Sequence, residues 1–72
     1  MSVSRYNRLL RKVAGNIKRL RKKRGLTQEE MTRFGFNYRH YQRVESGKQN
    51  LSLFTLQKIA AALKVNEREF FD

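Results

Sequence analysis

The chain has 72 residues, a formal net charge of +11, and neither cysteine nor proline. A chain this short makes one small domain with a thin stability margin, because it buries only roughly 60% of its unfolded surface. The missing cysteines exclude disulfides and thiolate metal sites and suit a reducing cytoplasm, no apolar run approaches the ~20 residues that span a bilayer, and Arg8, Arg11 and Lys12 break up any secretory signal core.

The charge is uneven. Arg5, Arg8, Arg11, Lys12, Lys18, Arg19, Arg21, Lys22, Lys23 and Arg24 fall within residues 1–24, which hold no acid. Such a balance points to a polyanionic partner: DNA, RNA or an acidic membrane surface. The bland alternative is a solvated helix face kept for solubility.

Residues 1 to 4 read as a frayed end. From Ser4, Leu9, Val13, Ile17 and Leu20 recur at helical steps, with Leu10 and Ala14 widening the apolar stripe. Gly15 lies inside the pattern, so the segment is either one long helix or two pieces meeting near Ala14-Gly15-Asn16. Gly25 ends it as a left-handed cap, and Arg21-Lys22-Lys23-Arg24 suits the negative end of the helix dipole.

One device then recurs. Leu26-Thr27 precedes Glu30 and Met31, Phe36-Asn37 precedes Tyr41, Leu51-Ser52 precedes Leu56, and Val65-Asn66 precedes Glu69 and Phe70. Each is an apolar residue, a capping residue, and an apolar residue five positions after the first: the hydrophobic staple, with a capping box where a glutamate follows the cap. These matches start helices at 28, 38, 53 and 67. Phe34 and Phe36, on either side of the turn glycine, read as core. Leu53, Leu56, Ile59, Ala60 and Leu63 read as one buried face. The expectation is an all-α domain of five short helices.

Thr27 to Gly47 is the stretch with functional content. It gives a helix to about Phe34, a break at Gly35, and a second helix from Asn37 to Glu45 that ends at Ser46-Gly47. Two short helices about a glycine turn make a helix-turn-helix, whose second helix can enter the DNA major groove. Arg39 and Arg43, four apart, share one helix face. Either can fork onto guanine, and Gln42 can pair with adenine; the equal alternative for the arginines is phosphate contact alone. Tyr38 either meets a sugar or thymine methyl or covers the turn. Tyr41 reads as core.

From Asn16 to Phe71 the chain resembles the Cro/phage-repressor family, also called the xenobiotic-response-element type. Arg21 is followed by Gly25-Leu26-Thr27-Gln28-Glu29-Glu30. Gly35 is followed by Tyr41, Val44, Glu45, Gly47 and Lys48, and then by Leu56, Ile59-Ala60, Leu63 and Val65. The resemblance implies a lambda-repressor-like fold, with residues 1–15 as a basic helical extension and 16–72 as the DNA-binding domain. It implies that Gln28 contacts a phosphate and braces the second motif helix, with Thr27 and Asn37 at helix starts beside it. Tyr38, Arg39 and His40 would read bases, with Gln42 and Arg43 on the same side. Lys48, Gln49 and Asn50 would grip the next phosphates, and Arg21 and Glu45 would form an internal ion pair. The segment Gln28 to Gly35 is one residue shorter than the family spacing, and Thr32 stands where a small alanine is usual.

The extension has three readings: packing on the core, a longer footprint on the DNA backbone, or lying on an anionic membrane. No membrane partner enters the main reading. Relatives usually dimerise, so a homodimer over a palindromic site is expected, through Leu63, Phe70 and Phe71; the alternative is that the phenylalanines cap the monomer core. His40 is the sole histidine and has no cysteine or acid cluster for a metal. The acids form no catalytic pair and no phosphate loop is visible. The expectation is therefore no cofactor, no metal and no enzyme, but a regulator that binds double-stranded DNA, similar to the small controller proteins of restriction–modification operons. The alternative function is a protein-interaction module, such as an antitoxin, with a protein partner. Non-specific nucleic-acid binding through the basic helix is the third.

Overall fold

A computed structural model describes residues 3–72. Three α-helices and two 3-10 helices follow in order: α1 (Val3–Lys23), a first 3-10 helix (Glu29–Phe34), α2 (Tyr38–Glu45), α3 (Leu53–Leu63) and a second 3-10 helix (Glu67–Phe71). No strand occurs among the described residues. Met1 and Ser2, part of the expected frayed end, lie outside the described residues, whereas Val3 and Ser4 already belong to α1.

α1 is the spine. Its 21 residues span about 32 Å at 1.5 Å per residue, close to the molecule's 35 Å long axis. It passes Gly15 unbroken, so the two-piece alternative falls away. Its buried stripe is Leu10, Val13, Ala14, Ile17, Leu20 and Arg21. Leu9, expected in that stripe, sits at its edge and is 44% exposed. Leu10, Val13 and Ala14 are buried, and Val13 joins the main core cluster. α1 contacts α2, α3 and the second 3-10 helix, and Asn16 donates to the backbone carbonyls of Phe70 at 2.8 Å and Asp72 at 3.1 Å.

The staples and caps form. Thr27 Oγ1 accepts from the Glu30 N–H, and Glu30 Oε1 accepts from the Thr27 N–H, closing the capping box. The Asn37 side chain accepts from His40 N–H, Ser52 from Thr55 N–H, and Asn66 from Arg68 N–H. Phe36 meets Tyr41 with ring centroids 5.5 Å apart. The core joins Val13, Ile17 and Leu20 to Met31, Phe36, Tyr41, Val44, Leu56, Ile59, Leu63 and Phe70.

Two of the expected α-helices are instead 3-10 segments. The first starts at Glu29 rather than 28 and has only six residues. A 3-10 helix rises about 2.0 Å per residue against 1.5 Å in an α-helix, so a segment one residue short still bridges the gap to the turn. The tighter winding also turns Thr32 outward, where its hydroxyl donates to the Glu29 carbonyl at 2.7 Å. Phe34, expected in the core, is 40% exposed for the same reason. Leu53 likewise leaves its expected face and is 84% exposed in the first turn of α3.

α1 ends in a left-handed Gly25, with Leu26 N–H bonded back to the Arg21 carbonyl. α3 ends the same way at Lys64, the sole described non-glycine with positive φ. A side chain there costs about 1–2 kcal/mol relative to glycine, partly offset by the greater unfolded freedom of glycine. Lys64→Gly is therefore expected to raise the melting temperature by about 2–6 °C, read by thermal denaturation. A lower value would mean the lysine stem contributes packing.

Candidate nucleic-acid interface

α2 buries one face and presents the other. Tyr41, Val44 and Glu45 point inward, while Tyr38, Arg39, Gln42 and Arg43 are exposed and His40 is half-buried. Helical periodicity alone produces this split, since 41, 44 and 45 recur at three and four.

A polar network locks α2 to α1. Arg21 forks onto Glu45, with Nε to Oε2 at 2.6 Å and Nη2 to Oε1 at 3.0 Å. Its remaining Nη1 donates to the Leu26 carbonyl. Gln28 Nε2 donates to Glu45 Oε1 at 3.0 Å, and Gln42 Nε2 approaches Gln28 Oε1 at 3.5 Å. The chain of contacts runs from α1 through the first 3-10 helix to the exposed face of α2. Burial by itself would raise Glu45; the hydrogen bonds from Arg21 first, with the nearby Tyr41 hydroxyl and the Gln28 amide adding to them, outweigh it and hold the carboxyl below the usual range. The hydrogen bond to Glu45 raises Arg21 further. The Tyr41 hydroxyl lies against this pair but off hydrogen-bond alignment, and burial pushes its pKa up.

The loop after α2 is held from both sides. Arg43 Nε donates to Gln49 Oε1 at 3.2 Å, and its Nη2 reaches the Lys48 carbonyl at 3.4 Å. Tyr6 Oη donates to Asn50 Oδ1 at 2.9 Å, leaving the Asn50 amide N–H groups for an acceptor. Arg39, Gln42, Arg43, Ser46 and Lys48 line one shallow concavity. Gly47 has φ +74°, and a Cβ there would stand 3.2 Å from Arg11 Cγ and 3.5 Å from Arg11 Cα. The glycine thus serves both the left-handed turn and the close approach of α1.

Sequence comparison bears on the helix pair as a whole. A profile described as Helix-turn-helix matches residues 17–70. The chain belongs to the helix-turn-helix family. A protein of Sinorhizobium fredii (strain NBRC 101917 / NGR234), named Uncharacterized HTH-type transcriptional regulator y4dJ, is 42% identical over 62 residues, covering 83% of this chain and 80% of the relative. The family is not an enzymatic one. Among the described residues, no helix of this helix-turn-helix chain is long and apolar enough to cross a membrane.

Of the residues expected at the interface, Thr27, Gln28, Asn37, Tyr38, Arg39, His40, Gln42, Arg43, Lys48, Gln49 and Asn50 lie along α2 and its flanking segments. Arg21 and Glu45 form the expected ion pair. Leu63 and Phe70, expected on a dimer surface, are instead completely buried within one chain, and of that trio only Phe71 is exposed, at 44%. The physical reason is the capping box at Asn66 and Glu69, which turns the last segment so that Phe70 closes the core. Sequence reasoning missed Tyr6 and Lys58. Lys58 Nζ donates to the Gly35 carbonyl at 3.1 Å and lies 4.6 Å from the Phe36 ring centroid, bracing the turn. It also missed Phe54, 72% exposed beside Leu53.

Proposed function

We propose that the chain is a sequence-specific DNA-binding transcriptional regulator that acts as a homodimer on a palindromic operator. The observation that carries this reading is α2 itself: a short helix with Arg39, Gln42 and Arg43 on its exposed face, braced from behind by the Arg21–Glu45–Gln28 network. The two arginines have different roles. Arg43 spends donors on the Lys48-Gln49 loop, which suits a residue that sets the loop against phosphates. Arg39 makes no such bond among the described residues, and its fork is available to guanine O6 and N7. Thr27, Gln28 and Asn37 flank the helix starts facing the backbone, and Lys48, Gln49 and Asn50 face the next phosphates.

A second copy would dock on the apolar corner formed by Leu9, Leu53, Phe54 and Phe71. Three of the six acids, Glu67, Glu69 and Asp72, fall in the last six residues, and Glu67 lines this corner. It is where two chains of +11 charge meet least repulsion. The exposed Leu53 and Phe54 also favour the second reading, a protein-interaction module such as an antitoxin, which would leave the isolated chain monomeric.

Selection from random duplex DNA at about 150 mM salt tests the first reading. A palindrome with half-sites about 34 Å apart is expected. Arg39→Ala should weaken the selected site by about 1–3 kcal/mol, roughly five- to 150-fold, while binding scrambled duplex nearly as before. Enrichment of no motif would overturn sequence-specific regulation.

A further inference from the structure

Six of the eight exposed basic residues of α1, all but Arg5 and Arg8, fall into two neighbouring strips with the same spacing. Arg11, Lys18 and Lys22 form one. Lys12, Arg19 and Lys23, one residue on, form the other, about 100° around the helix at 3.6 residues per turn. Only the first strip borders the helix-turn-helix. Lys18 and Lys22 line a concavity with Thr27, Gln28 and Tyr38. Arg11 lies over Gly47, next to Lys48. α1 therefore runs antiparallel to α2, with Lys18 and Lys22 at its start and Arg11 at its end.

We infer that Lys18 and Lys22 form a phosphate-contact site for the DNA strand that flanks the N-terminal end of α2. The inference rests on the DNA-binding reading and extends it to a helix that reading does not use. An α-helix in the major groove has a phosphate backbone along each flank of a groove about 12 Å wide. The residues facing one flank here are Thr27, Gln28 and Tyr38, and Lys18 and Lys22 complete the same concavity from the other wall. Lysine suits this site because it meets phosphate as a point charge and needs no fixed bidentate geometry. Both lysines are solvent-exposed, and no acid lies on α1 to neutralise them. The one acid lining the concavity is Glu29.

The test compares the two strips at equal charge. The probe is a 20-base-pair duplex of mixed sequence, with affinity measured between about 50 and 300 mM salt. Each neutralised phosphate adds about −0.9 to the log–log slope. Lys18→Gln with Lys22→Gln should flatten the slope by about 1.8, and Lys18→Arg with Lys22→Arg should restore it. Lys12→Gln with Arg19→Gln removes the same charge from the other strip and should leave the slope nearly unchanged. Equal flattening by both pairs would overturn the site in favour of diffuse charge, and so would no flattening by the first pair. Unchanged melting temperatures confirm that each variant is folded. If the wild type selects no motif, sequence-specific regulation fails, while the strip comparison on this mixed-sequence duplex still decides the lysine site.

Discussion

Glu45→Gln is expected to remove about 3–5 kcal/mol of folding stability, because it leaves the Arg21 guanidinium buried without its counter-charge. The side chains of Arg21 and Glu45 are 6% and 2% exposed, so water cannot replace the lost partner. A domain of this length holds only about 4–11 kcal/mol in total, and the melting temperature should fall by roughly 12–40 °C. The introduced amide also has one acceptor oxygen in place of two, so it cannot serve Arg21 Nε, Arg21 Nη2 and Gln28 Nε2 together, and the brace behind α2 loosens. Replacing both partners with apolar residues, Arg21→Met with Glu45→Leu, should cost less than Glu45→Gln alone, since no buried charge remains.

The pH dependence of that loss has a fixed sign. The folded pKa of Glu45 lies below its unfolded value, which is about 4.3. Its contribution is therefore complete above that value and is lost as pH falls through the lower, folded one. Wild type and Glu45→Gln should differ most near neutral pH and converge in acid, as protonation gives the wild type a neutral side chain too. Thermal melts at pH 7, 5 and 3 measure this. A gap that stays constant across them would show that the ion pair does not govern the difference.

The helix order and the turn were legible because they rest on local chemistry. Each staple and cap needs only residues three to five apart, and Gly25, Gly35 and Gly47 occupy the positive-φ stops the sequence marks. The Arg21–Glu45 pair, 24 residues apart, came from family resemblance, since no local pattern links those positions. What stayed hidden was rotation. Periodicity told that Leu9 and Leu53 sit near an apolar face but not on which side of its edge. The 3-10 winding of Glu29–Phe34 shifted Thr32 and Phe34 outward, and helix propensity does not distinguish six residues of 3-10 from α. Tyr6 on Asn50 and Lys58 on Gly35 depend on how separate helices pack, which no single-helix pattern encodes.

Phe70→Ala should unfold the monomer rather than split a dimer. Phe70 is 0% exposed and belongs to the cluster with Ile17, Tyr41 and Leu63. Truncating a buried phenylalanine costs about 3–5 kcal/mol, and the five-residue 3-10 helix around it has too few bonds of its own to stand without that contact. Phe54→Ser is the opposite case. With 72% of its surface in water, its loss should change stability by no more than about 0.5 kcal/mol. It sits on the apolar corner proposed for the second copy, so it should lower the dimer fraction at tens of micromolar protein and weaken a palindromic site more than a single half-site. Thermal melts with sedimentation equilibrium separate the two effects. A Phe70→Ala chain that melts normally yet sediments as a monomer would return Phe70 to the interface. A Phe54→Ser chain with undiminished self-association would remove the Leu53–Phe54 corner from it and direct attention to a different protein partner for that surface.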